Sequence, residues 1–308
     1  MQLLETKKEN YIGQADPFIL ESGGRYYIYT TGDDGIYAYS SDDLLTGWQF
    51  HGMVFTVPGE HSFWAPSVIE LDGTYYMYCS YEFFGDTPDQ GGHREALFVS
   101  QADNPLGPFG QEKQILHPFS IDSQIVQNES GLYLFYSTNT FEGDRIGTYM
   151  LDPYTPAGHP VPVVVPTLDE EIFRRDRYKT GQHWHTIEGA CYFREGDWQY
   201  VMYSGNCYLQ PTYYIGYARA KTNETDLTKI KFEKVPDDHT YAPVIRANDW
   251  EEGTGHHSVI KKDGVWYAVY HARNVEDDGF EGDRRNARIC RLEVKDGTIT
   301  AHRYPDHI

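Results

Sequence analysis

The sequence predicts an all-β protein, a five-bladed β-propeller in a single domain, and three observations lead there. Tyr 26, Phe 15 and Trp 6 make up 15% of the 308 residues, with Gly 29 and Pro 16 spread along the whole chain. Aromatic and β-branched residues punctuated by Gly, Asp and Asn favour half-buried strands joined by tight turns. Long stretches with helical periodicity are scarce. The third observation is a layout that recurs five times: a short motif, a strand, a Gly-containing turn and a Tyr-rich strand.

In the first unit, Asp16-Pro17-Phe18-Ile19-Leu20 leads through Gly23-Gly24 into Tyr26-Tyr27-Ile28-Tyr29. In the second, Trp64-Ala65-Pro66-Ser67-Val68-Ile69 leads through Asp72-Gly73 into Tyr75-Tyr76-Met77-Tyr78. In the third, Asp122-Ser123-Gln124-Ile125-Val126 turns near Gly131 into Tyr133-Leu134-Phe135-Tyr136. The fourth runs from Glu188-Gly189-Ala190-Cys191-Tyr192-Phe193 through Glu195-Gly196-Asp197 to Tyr200-Val201-Met202-Tyr203. The fifth runs from His256-His257-Ser258-Val259-Ile260 through Asp263-Gly264 to Trp266-Tyr267-Ala268-Val269-Tyr270. Each unit reads as a β-hairpin followed by further strand-like runs, among them 35–40, 96–100 and 213–218.

One four-stranded sheet cannot bury both of its faces alone. Packing such sheets around an axis buries them and leaves only short edges. The spacing predicts five blades over residues 1–308, without a linker, and with the longer units carrying surface-loop insertions at 144–182 and 206–211. The run Val161-Pro162-Val163-Val164-Val165-Pro166 reads as an edge strand bounded by prolines.

In a propeller the innermost strands line the axis and their starts converge at one mouth. The repeat heads therefore predict which residues meet: Asp16, the Trp64-Ala65 pair, Asp122, Glu188 and His256. Three of these heads are carboxylates at matched positions, each beside Pro, Ser or Gly and outside any charged run. Carboxylates sharing an aromatic-lined cleft suit glycoside hydrolysis. One, kept protonated, gives its proton to the leaving oxygen; another, ionised, activates water or attacks the sugar; a third tunes the acid.

These motifs resemble those of glycoside hydrolase family 43, across nearly the whole chain. Ala15-Asp16-Pro17-Phe18 is similar to the first-blade motif that carries the general base, and Phe63-Trp64-Ala65-Pro66-Ser67-Val68 to the Trp-Ala-Pro segment. Ile121-Asp122-Ser123-Gln124 resembles the segment of the third acid, and Ile187-Glu188-Gly189-Ala190-Cys191-Tyr192 the Glu-Gly motif of the general acid. Gly253-Thr254-Gly255-His256-His257-Ser258 resembles the Gly-x-Gly-His segment, whose His lies beneath the site and often contacts calcium. Tyr270-His271-Ala272-Arg273 and Arg285-Asn286-Ala287-Arg288 match last-blade signatures.

The resemblance implies a five-bladed propeller and an inverting mechanism: Asp16 as general base, Glu188 as general acid, and Asp122 tuning and positioning Glu188. Inversion needs room for water, so the two reacting carboxyls are expected ~6.5–9.5 Å apart. Trp64 is expected to serve as a sugar platform, Phe18 to wall the pocket, and Arg285 to bind sugar hydroxyls. His256 is expected beneath the site, with a structural calcium in the channel held mostly through water; no cofactor is required. Ala15, where arabinan endo-hydrolases usually carry His, and the Arg285/Arg288 signature point to an exo-acting α-L-arabinofuranosidase on arabino-oligosaccharides. A β-xylosidase or another exo-glycosidase of the family is the alternative. A non-catalytic sugar-binding propeller should lack one or more head carboxylates, and all three are present.

Other chemistries fit poorly. With 26 Lys+Arg against 46 Asp+Glu, the net charge of −20 disfavours nucleic acid and anionic membrane surfaces as partners. No run approaches the ~18 apolar residues of a membrane span, and the start, Met1 to Lys8, lacks a secretory apolar stretch, so a cytoplasmic location is expected. Cys79, Cys191, Cys207 and Cys290 form no CxxC pair and read as reduced core thiols. His183-Trp184-His185 and His256-His257 are the candidate zinc ligands, but neighbours on a strand point to opposite faces and HExxH is absent. Gly253-Thr254-Gly255 lacks a third glycine and a following helix, and no Gly-x-Ser-x-Gly elbow appears.

Overall fold

The computed structural model describes residues 1–4, 13–82, 94–140, 143–276 and 284–304. Among them, helix is confined to one 3₁₀ turn at Asp169–Glu171; the rest is strand and connection. The first blade comprises β1 (Phe18–Ser22), β2 (Arg25–Thr30), β3 (Ile36–Ser41) and β4 (Gln49–Phe55). The second comprises β5 (His61–Leu71), β6 (Thr74–Glu82), β7 (Glu95–Ala102) and β8 (Gly110–Gln114). The third holds β9 (Ser120–Asn128), β10 (Gly131–Thr140), β11 (Gly143–Asp152), β12 (Thr155–Val164), β13 (Ile172–Arg174) and β14 (Trp184–His185). The fourth is β15 (Ile187–Glu195), β16 (Trp198–Gly205), β17 (Tyr214–Lys221) and β18 (Glu233–Lys234). The fifth is β19 (Glu251–Lys262), β20 (Val265–Asn274), β21 (Asn286–Lys295) and β22 (Thr298–His302).

Four of the sheets are antiparallel meanders in chain order. Their first strands form a closed ring: β1 packs beside β5, β5 beside β9, β9 beside β15, β15 beside β19, and β19 beside β1. This is the five-bladed propeller.

Period-two alternation on the Tyr-rich strands holds the ring together. Tyr26 and Ile28 turn to the fifth blade, while Tyr27 and Tyr29 turn to the second. Leu132 and Leu134 pack on the second blade, Tyr133 and Phe135 on the fourth. Val201 and Tyr203 face the third blade, Tyr200 and Met202 the fifth. Among the described residues there is one apolar cluster for each of the five blade interfaces. A strand whose two faces are both buried needs apolar residues at every position, which is why these runs are continuous Tyr, Ile, Leu, Val and Met. The four cysteines are free and buried, as expected of core thiols.

The N-terminal residues lie along the last blade. Leu3 N–H donates to the Ala287 carbonyl at 2.8 Å and Ile289 N–H to the Met1 carbonyl at 2.9 Å. The start of the chain is thereby tied to the fifth sheet, next to the first blade.

One sequence expectation is corrected. Much of 144–182 is regular structure: β11 and β12 are the third blade's own third and fourth strands. The edge strand read at 161–166 is the end of β12, whose first half the prolines at 156 and 160 disguise as loop. They are tolerated because β12 is outermost and pairs only with β11. The real insertion begins after β12 and returns at β14, which joins β11 in parallel through Gly143 and His185.

Candidate active site

The five heads share one backbone geometry. Asp16 (φ 51°), Ala65 (φ 49°), Asp122 (φ 57°), Gly189 (φ 61°) and His256 (φ 38°) are all left-handed. In each blade the residue two past the head pairs with the residue thirteen past it: Phe18 with Tyr29, Ser67 with Tyr78, Gln124 with Phe135, Cys191 with Met202, Ser258 with Val269. In blades two to five a break in register adjoins the head, as at a β-bulge that re-aims side chains. For a non-glycine residue this backbone costs on the order of 1 kcal/mol or more, and such strain clusters at functional sites.

This register corrects the expectation of three matched carboxylates. Asp16 and Asp122 are equivalent, and His256 is their counterpart in blade five. In blade four the equivalent position is Gly189, so Glu188 stands one residue earlier. Its side chain therefore leaves the backbone one position before the twist.

A pocket opens at this mouth, and its wall includes Asp16, Trp64, Asp122, Glu188, His256 and Arg285. Residues far apart in the chain are thus brought to one hollow, as the repeat implied. Phe18 is not among the pocket's lining residues. It lies two residues beyond the head, on β1, and packs against the cluster between blades one and two. Strand alternation turns it away from the mouth.

Asp16 is buried and densely contacted. Thr31 Oγ1 donates to its Oδ2 at 2.6 Å. Arg285 Nη1, His271 Nδ1 and His256 Nδ1 lie 3.4, 3.2 and 3.4 Å from its Oδ1. Burial alone pushes the carboxyl's pKa up, but His256, Arg285 and His271 outweigh it and hold Asp16 well below the ordinary carboxylate range. Burial holds His271 down at about 4, so its ring is neutral at pH 7. The same Nδ1 also accepts the backbone N–H of Asp16 at 3.2 Å, so this ring contacts both the peptide and the carboxyl of the base. Burial also lowers His256, against the opposing pull of Asp16. At neutral pH Arg285 is therefore the full positive charge that secures the Asp16 anion.

The heads are cross-tied between blades. Thr31 Oγ1, which donates to Asp16, accepts the N–H of Ala65 at 2.8 Å. Gly189 N–H donates to Asp122 Oδ2 at 3.2 Å, so Asp122 anchors the peptide next to Glu188. His256 Nδ1 lies 3.6 Å from the same Asp122 oxygen, which places the imidazole between the two aspartates. A Cβ at position 189 would come within 3.3 Å of the His256 ring. Glycine is needed there for both space and backbone.

Trp64 is half-buried in the wall, as a stacking platform must be. Arg285 lies over the Tyr208 ring, 4.2 Å from its centroid. Among the described residues no group of three or more His, Cys, Asp or Glu side chains forms a metal-binding cluster. Calcium takes six to eight oxygens, whereas His256 turns Nδ1 to two aspartates. The side chains alone supply no such shell, so a channel calcium would be held mostly through water, and no chemical step below passes through a metal. His257 is buried while His256 reaches the pocket, as opposite faces of a strand require.

The sequence reading gave no site role to Thr31, Ile121, Tyr208, Tyr213 or His271, although Ile121 and His271 stand inside the motifs it quoted. Tyr208 lies in the short 206–211 insertion, which composition marks only as a loop. His271 had a signal, its place in the last-blade motif Tyr270-His271-Ala272-Arg273. Thr31 carries none, because only the fold brings it to the mouth.

The model of the family described as glycosyl hydrolases family 43 matches residues 12–299. The extracellular exo-α-(1→5)-L-arabinofuranosidase ArbA of Cellvibrio japonicus (strain Ueda107) is 25% identical, over 85% of this chain and 80% of its own. A xylosidase/arabinosidase of Bacteroides ovatus is 26% identical, over 92% of this chain and 93% of its own. Among solved structures, a thermostable family-43 glycoside hydrolase is similar with a TM-score of 0.76 and 28% identity, covering 94% of this chain and 92% of that one.

Proposed function

Since the chain belongs to glycosyl hydrolases family 43, and so is a glycoside hydrolase, we propose that it is an exo-acting α-L-arabinofuranosidase on arabino-oligosaccharides, working with inversion. The observation that carries this reading is the one pocket whose wall Asp16, Asp122, Glu188 and Trp64 share. Asp16, kept ionised by Arg285 and its hydrogen bonds, takes a proton from the attacking water. Glu188 gives its proton to the glycosidic oxygen. Asp122 holds Glu188 through the Gly189 peptide. Trp64 receives the apolar face of the sugar, and Arg285 reaches its hydroxyls. Acid, base and water balance the reaction, so no cofactor enters it. The similarity to ArbA and the compact pocket support exo action on a terminal pentose. The Bacteroides ovatus relative, which spans more of the chain, favours a second reading as a β-xylosidase.

Incubation with α-1,5-arabinobiose, xylobiose and linear arabinan separates these readings. The proposal expects arabinose as the sole product from the first and the last. Xylose from xylobiose alone selects the second reading, and mixed oligomers from arabinan rule out exo action. Proton NMR of the first-formed anomer tests inversion. Glu188→Gln should lower kcat on the cleaved disaccharide ~100-fold or more, and wild-type turnover would remove Glu188 as the acid.

A further inference from the structure

Tyr213, immediately before β17, has no task in the mechanism above, yet its hydroxyl donates to Glu188 Oε1 at 2.7 Å. The side chain is fully buried, at 0% exposure. Gly255 provides the slot for its ring: a Cβ there would sit 1.9 Å from Tyr213 Cε1. The ring stacks on His271, with centroids 5.8 Å apart and planes at 18°. Thr254 Oγ1 donates to the Tyr213 carbonyl at 3.2 Å.

The direction of the phenol proton is fixed by its neighbours. Ser204 Oγ accepts the N–H of His256 at 2.8 Å, so its own proton is available to the Tyr213 oxygen beside it. That leaves the phenol proton for Glu188. Burial, with the charges of Glu188 and Asp122, pushes the phenol pKa well above its ordinary value, so Tyr213 remains a donor. In a protonated carboxyl group the carbonyl oxygen is the better acceptor.

We propose that Tyr213 is a positioning residue that makes Glu188 Oε1 the carbonyl oxygen and so assigns the transferable proton to Oε2. This rests on Glu188 being the proton donor. In the reaction the Oε2–H bond breaks as the proton bonds to the glycosidic oxygen. That oxygen keeps the electron pair of its bond to the anomeric carbon. Water bonds to this carbon and loses a proton to Asp16. The carboxylate left on Glu188 then receives a stronger, charge-assisted hydrogen bond from Tyr213.

Tyr213→Phe removes one oxygen and keeps the ring in its slot. The other charged or titratable groups around Glu188 remain: Asp122 from β9, His256 from β19, Asp16 before β1, Arg285 before β21, and His271 from β20 behind the ring. On whichever of arabinobiose or xylobiose the wild type cleaves, kcat should fall about 10- to 100-fold. On the matching 2,4-dinitrophenyl glycoside, whose leaving group needs no proton, kcat should change less than about threefold, with KM within about twofold on both. The alkaline limb of kcat/KM should move to higher pH, because a donor to the charged form is gone. Gly255→Ala, which pushes the ring out of its slot, should show the same split between leaving groups; near-ultraviolet circular dichroism and Tm check that both variants fold. Equal losses on both substrates, or an unmoved alkaline limb in folded Tyr213→Phe, overturn the proposal. Glu188→Gln is the control. If it shows the leaving-group split and Tyr213→Phe does not, Tyr213 alone is misassigned; if it turns over the disaccharide normally, the acid assignment fails and this inference with it.

Discussion

Asp122 and Gly189 are joined by a 3.2 Å hydrogen bond from the Gly189 N–H to the aspartate Oδ2. A carboxylate of the third blade thus holds the peptide beside the acid of the fourth. This contact gives Asp122 a physical route to Glu188 that needs no direct contact between the two carboxyls.

Gly189→Ala tests that route. The new Cβ must adopt φ 61° and approach the His256 ring to 3.3 Å. Stability should fall by ~1–2 kcal/mol. The kcat on an oligosaccharide should fall at least ~10-fold, because Glu188 is displaced from its working position. Urea unfolding and steady-state kinetics read the two effects, and an unchanged kcat would show that the head of β15 does not position the acid.

Arg285→Gln addresses the base. Arg285 Nη1 lies 3.4 Å from Asp16 Oδ1, and both residues are buried. Losing the guanidinium removes one of the influences that hold the Asp16 carboxyl low. A base must be ionised to act, so the acid limb of kcat/KM should move to higher pH. A pH profile between 3.5 and 8 should show an acid limb entering this window in Arg285→Gln that the wild type lacks, and coincident profiles would separate Arg285 from the base.

Acid should destabilise the fold before it protonates Asp16. Burial pushes His257 down to about 3 and His271 down to about 4, against an ordinary 6.5. The unfolded chain therefore takes up protons below pH 6.5 that the folded chain refuses. Stability is complete above that pH and is lost as pH falls toward 4, by up to ~1.4 kcal/mol per unit for each group. Neither ring nitrogen of His257 meets a partner among the described residues. His257→Leu should therefore leave stability at pH 7 within ~1 kcal/mol of wild type and flatten the decline between pH 6.5 and 4. Urea midpoints at pH 7, 5.5 and 4.5 decide it, and a slope identical to wild type contradicts the assignment.

The blade interfaces admit a simpler test. Phe135 is fully buried between blades three and four. Phe135→Ala should cost ~3–5 kcal/mol, measurable as a fall in Tm. Because Phe135 lies away from the mouth, kcat of the folded variant should stay near wild type.

The propeller was legible because its cause is local and repeated. Residues such as Tyr26-Tyr27-Ile28-Tyr29 face two neighbouring sheets, and that demand imprints itself on every blade. The carboxylates were legible for the same reason, since each opens a strand that the repeat aligns. Prolines hid the first half of β12, while its end at 161–164 was legible as an edge strand, because an outermost strand accepts residues that an inner one rejects.

The chain alone thus determined how many blades there are and which acids approach the axis. Only the tertiary structure decided that Glu188 stands one residue ahead of its counterparts, that Phe18 turns to a neighbouring blade, and that Thr31, Tyr208, Tyr213 and His271 surround the acids. A period is written along the sequence, but a twist at one head and contacts between side chains hundreds of residues apart arise only when the ring closes.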